Sequence, residues 1–85
     1  MMTIWHRAPT TVLKLLLSST ARKYYFNEIV DLTGLHRTHL GAVLDRMTEA
    51  GLLDREDERP NLESFARPLR VYYQLTPEAV DFLRL

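Results

Sequence analysis

The side chains best suited to recognition chemistry in this sequence lie within residues 37–46. Arg37, Thr38, His39, Ala42 and Arg46 are left on the outer side of a helix if Leu40, Val43, Leu44 and Met47 take the inner side. Those four are spaced by three, one and three, which puts them on one helical face. The chemistry on offer is hydrogen-bond readout. An arginine can give guanine a bidentate pair of donors, and a threonine methyl can pack on thymine. Gly41 and Ala42 carry almost no side chain, so another molecule could approach the backbone there. Arg46 has the charge and reach for a phosphate. The plain alternative is an ordinary solvated helix face.

Further cations sit elsewhere. Arg22 and Lys23 precede a helix start, and Arg59, Arg67 and Arg70 lie in or beside a polar loop. All five are candidates for backbone phosphates, and the loop arginines also for a minor groove. Against this, Asp57, Glu58 and Glu63 cancel the loop arginines in a simple count. His36 and His39 lie three apart and can share a face. Without a cysteine or a tight acidic cluster beside them, a metal site is not expected. Catalysis finds no support either: there is no glycine-rich phosphate loop, nucleophile elbow or cysteine nucleophile. The chain is expected not to be an enzyme and to need no cofactor. Tyr24, Tyr25, Tyr72 and Tyr73 read as core and strand residues.

These side chains need elements to hold them. Helix one is expected over 9–18, with Pro9 in the first position, where a missing N–H costs nothing, and Val12, Leu13, Leu16 and Leu17 as its buried stripe. Tyr24, Tyr25 and Phe26 favour a short strand. Helix two is expected to open at Asn27 as N-cap, with Glu28 in the first turn and Ile29 and Leu32 facing inward. Gly34 stops it, since glycine enters the left-handed region at little cost. Helix three spans about 37–50 and stops at Gly51. A strand over 52–56, a polar loop over 57–68 and a return strand over 69–75 form a hairpin. In the return strand Leu69, Val71, Tyr73 and Leu75 alternate with Arg70, Tyr72 and Gln74, the period-two pattern of a half-buried strand. Thr76, Pro77 and Glu78 supply a cap, a first-position proline and a first-turn acid for a last helix, whose apolar side is Ala79, Val80, Phe82 and Leu83.

Helix, possible strand, two helices, hairpin and a C-terminal helix make an α+β chain. The expected architecture is a winged helix-turn-helix: a three-helix core with a small antiparallel β-hairpin wing and a C-terminal helix. One such domain fills 1–85, with the helix-turn-helix at about 27–50 and the wing at about 52–75. The segments LTGLHRTHLGAVLDRMTEAGLLDR and RVYYQLTPEAV resemble winged-helix transcriptional regulators, those of the PadR-like type in particular, over roughly residues 10–83. The resemblance implies sequence-specific binding of double-stranded DNA, with helix three in the major groove, and a repressor role. Two departures stand out. His36 occupies the place where such regulators usually carry a serine or threonine cap, and no long C-terminal dimerisation arm follows helix four.

Composition fits a folded chain: 46 % hydrophobic and 26 % charged residues. With no cysteine, it must be held by packing alone. The N-terminal stretch lacks the apolar run of a signal peptide, and no segment approaches the roughly 20 apolar residues of a membrane span. A cytoplasmic location without membrane contact is therefore expected. Eleven Lys and Arg balance eleven Asp and Glu. That neutral total, with the acidic run from Asp54 to Glu58, favours a rival reading: a winged-helix module that binds protein and not DNA. Met2, Ile4 and Trp5 at one end, and Phe82, Leu83 and Leu85 at the other, form apolar patches that either fold inward or bury against a second subunit. A homodimer through the terminal helices is the expectation. No pocket signature for a small-molecule effector is legible.

Overall fold

A computed structural model describes residues 4–60 and 67–84, the first three of them as backbone alone. Met2 and Leu85, the side chains of Ile4 and Trp5, and Glu63 in the loop lie outside the described residues. The elements are α1 (Ile4–Leu17), β1 (Tyr24–Tyr25), α2 (Phe26–Thr33), α3 (Arg37–Glu49), β2 (Leu53–Asp57), β3 (Val71–Leu75) and α4 (Pro77–Leu83). The architecture is a winged helix: helices on one side, and an antiparallel sheet in the order β1-β3-β2.

Val12 and Leu16 of α1, Ile29 of α2, and Leu40, Val43, Leu44 and Met47 of α3 are buried together with Leu53, Tyr73 and Leu75 from the sheet. Four apolar residues at the expected spacing thus turn α3 onto the core. Its opposite face is left outward because a helix has only one buried stripe.

Several boundaries differ from expectation. The first helix begins at Ile4, so Pro9 lies inside it. As the sixth residue of α1, Pro9 lies beyond the four N–H groups that lack helical partners, so it removes one helical hydrogen bond instead of sitting where the missing N–H costs nothing. Asn27 is not the cap of α2. Tyr25 is the cap residue, and its N–H donates to Glu28 Oε1 at 3.4 Å. The strand therefore runs directly into the helix. Leu32 does not face inward and is 57 % exposed, and Phe82 is 71 % exposed. Both helices are short, and each fully buries one side chain: Ile29 in α2 and Ala79 in α4. Leu69 precedes β3 and is 48 % exposed.

The turns behave as their residues demand. Gly34 sits at φ 72° with its N–H donating to Val30 O at 2.9 Å, and Gly51 sits at φ 82°. Thr33 braces the first turn by donating to Ile29 O at 2.6 Å and accepting from the Leu35 N–H at 3.2 Å. Thr76 ties the far end of the hairpin to the exit of α3. Its N–H donates to Leu52 O at 3.0 Å, its hydroxyl donates to Gly51 O at 2.8 Å, and the same hydroxyl accepts from the Ala79 N–H at 3.1 Å as the α4 cap.

Candidate nucleic-acid interface

His36 occupies the cap position of α3 and fulfils it: Nδ1 accepts from the Thr38 N–H at 3.2 Å. An imidazole nitrogen thus does the work of the hydroxyl usual at this place. The first turn beyond it, Arg37, Thr38 and His39, is exposed, as are Ala42 and Arg46. All five outward residues read from the sequence are therefore on the open face of α3.

That face has internal structure. At 3.6 residues per turn, Thr38, Ala42, Asp45 and Glu49 mark its outermost line, and all four are exposed. His39 and Arg46, seven apart, share one flank. Arg37 leans toward the other, with its guanidinium carbon 5.7 Å from the ring centre of Phe26. Two carboxylates, Asp45 and Glu49, thus occupy the C-terminal half of the line. Sequence inspection of the cations alone passed over them, although the helical repeat places them there. The N-terminal half carries no acidic group. Gly41 faces open space, with nothing within 4 Å of where a Cβ would stand. Its lack of a side chain is not required by the protein's own packing.

The remaining candidate cations surround the start of α2 and the root of the hairpin, and several are engaged. Arg22 pairs with Glu28 and lies over the Tyr24 ring, its guanidinium carbon 4.3 Å from the centroid. Lys23 pairs with Glu56 of β2. Arg67 forms a two-pronged pair with Glu58, each Nη donating to a different carboxylate oxygen at 2.7 Å. Arg70 stacks on Tyr25 at 4.1 Å, and Tyr25 meets Tyr72 edge-on at 6.0 Å. Arg59 is exposed. Among the described residues, Arg37, Arg46, Arg59 and Arg70 have no carboxylate partner.

Glu58 is the electrostatic anomaly of this region. The hydrogen bond from Arg67, followed by that from the Arg70 N–H, holds its carboxyl at about 2, below the ordinary 4.5. The same pairing raises Arg67 further above its usual range. Between the start of α2 and the base of β3 lies a groove of about 430 Å³ lined by Tyr25, Phe26, Asn27, Leu69 and Arg70 among others. Asn27, assigned to capping from sequence, instead stands exposed on its rim. Among the described residues no three potential metal ligands come together, and no helix is long and apolar enough to cross a membrane.

Two helices joined by a tight turn and followed by a β-hairpin define the winged-helix class, and the fold is similar to that of solved structures. One is a protein of Ralstonia eutropha JMP134, provisionally described as DNA-binding. It has 22 % identity and a TM-score of 0.68, with 92 % of this chain and 91 % of that one covered. Another is diamide-treated YodB from B. subtilis, with 16 % identity, a TM-score of 0.63, and 93 % and 78 % covered. No family model matches the sequence, and neither does any curated protein.

Proposed function

We propose that this chain is a sequence-specific double-stranded DNA-binding transcriptional regulator of the PadR-like kind, acting as a repressor and without enzymatic activity. The observation that carries the reading is the free N-terminal face of α3. Arg37, Thr38, His39 and Ala42 are exposed on a helix whose opposite side is locked into the core. A recognition helix meets base edges with its N-terminal residues. Gly41, open on its outer side, lets the duplex come near the backbone. Arg46 and Arg59, which have no carboxylate partner among the described residues, serve as phosphate contacts. Arg70, stacked on Tyr25, joins them at the wing, and Arg22, Lys23 and Arg67 contribute where phosphate displaces their partners. The likeness to the R. eutropha protein supports the fold of this reading. The protein acts in the cytoplasm as a homodimer through its terminal helices, with the exposed Phe82 as the apolar contribution of α4.

A second reading is favoured by one specific observation. Asp45 and Glu49 on the outer line of α3, together with the ion pairs at the hairpin root, leave little net positive field. That distribution suits a protein partner. Fluorescence anisotropy with mixed duplex DNA over a range of salt decides between the two. The DNA reading expects binding at low salt that weakens linearly in log salt, as counterion release requires. Absence of binding at low salt rejects it in favour of the protein module.

A further inference from the structure

We infer that Glu58 is a positioning residue that restrains Arg67 at the neck of the wing, so that a DNA phosphate must displace a carboxylate before it can use that arginine. The inference rests on the DNA-binding reading and specifies how the wing takes part in it.

Glu58 is the fixed member of the pair. Its Oε1 accepts from the Arg70 N–H at 3.0 Å as well as from Arg67, and its own N–H donates to Arg70 O at 2.8 Å. Glu58, just past β2, is therefore tied by backbone and carboxylate to Arg70, just before β3. Its side chain is 16 % exposed, against 36 % for that of Arg67. Arg67 is held by the two prongs and by one bond to Pro68 O at 3.2 Å. It can leave toward solvent, whereas Glu58 would keep its backbone partner. Paired charges in fork geometry are about twice as strong as neutral hydrogen bonds. Another pair on this hairpin, Arg55 with Asp57, is a single contact at 3.2 Å.

The consequence for binding follows from ion release. A free arginine reaching a phosphate adds about 0.9 to the slope of log K against log salt. An arginine already neutralised exchanges one anion for another and adds less. The wing is thus tuned to weak, displaceable contact, which limits sequence-independent binding relative to readout by α3.

The test measures duplex binding and its salt slope for the unmodified chain, Glu58→Gln, Glu58→Gln with Arg67→Gln, and Glu78→Gln. Glu78 is exposed on α4, so its variant matches the charge change away from the wing. Glu58→Gln is expected to tighten binding severalfold for every duplex and to steepen the slope by up to about one. Removing Arg67 as well should abolish that gain, and Glu78→Gln should show little of it. If Glu58→Gln melts too readily to assay, Arg67→Lys serves. Lysine keeps the charge but cannot form the fork, so the slope should move the same way. A wild-type slope in both Glu58→Gln and Arg67→Lys overturns the inference. So does a gain that survives loss of Arg67, or one that Glu78→Gln reproduces. Failure of the unmodified chain to bind at low salt overturns the DNA-binding reading, and the inference with it.

Discussion

Single residues here divide into those that hold the chain and those left for a partner. Arg37 is the clearest of the second kind. Its replacement by alanine should cost about 1–3 kcal/mol of binding to a selected duplex, with little loss on scrambled DNA; competition binding measures the difference. Gly41 offers a test in which two effects oppose. Alanine should stabilise α3 by about 1 kcal/mol, since glycine is a poor helix residue and the space is open. It should also weaken DNA binding if the duplex packs on that side. Urea unfolding and anisotropy on the same variant separate the two. Glu58 makes a prediction in acid. Its carboxyl is lowered in the folded chain from 4.5 to about 2. Its stabilising contribution is therefore complete above about 4.5 and drains away as pH falls toward 2. The Glu58→Gln variant should lose less stability than the parent across that window, as read from urea midpoints at each pH.

At the scale of elements, the sequence was legible wherever periodicity met a buried surface. The α3 stripe of Leu40, Val43, Leu44 and Met47, the two positive-φ glycines and the Thr76-Pro77 helix start all follow from local rules. The misses have physical causes as local. Asn27 is a favoured cap, but pairing of Tyr24 and Tyr25 with Tyr73 and Tyr72 moved the cap back two residues. Leu32 and Phe82 satisfy helical spacing, yet a helix of seven or eight residues meets the core through too narrow a strip to cover both. The site was half legible. Cations on α3 could be read from the helical repeat. That Glu58 would engage Arg67 could not, since the two meet only once β2 and β3 pair. One element-scale prediction concerns the turn between α2 and α3. Gly34→Ala forces a Cβ into the left-handed region at a cost of about 1–2 kcal/mol, and the thermal midpoint should drop accordingly.

For the whole molecule, a balanced formal charge is the fact that any function must accommodate. Ion pairs at the start of α2 and on the hairpin engage Arg22, Lys23, Arg55 and Arg67, and Asp45 and Glu49 stand on the outer line of α3, so the proposed interface carries little excess positive charge. Binding should therefore show a shallow salt slope, corresponding to only a few phosphates. The proposed homodimer is checked by sedimentation: a species near 20 kDa at micromolar concentration, twice the 9.9 kDa chain, is expected. Persistence of a 10 kDa species would remove the dimer. In that case Phe82→Ser should leave the sedimentation profile unchanged.

The order of the three strands has an outcome for how the protein keeps at high concentration. Both outer strands of the sheet are poor templates for growth. One is only two residues long, and the other presents Asp54, Arg55, Glu56 and Asp57 to solvent. A neutral protein near its isoelectric point is prone to self-association, and bare strand edges are where fibrils seed. Charges placed along this margin, with a stub on the opposite side, let the chain dispense with net charge and still resist stacking into cross-β aggregates.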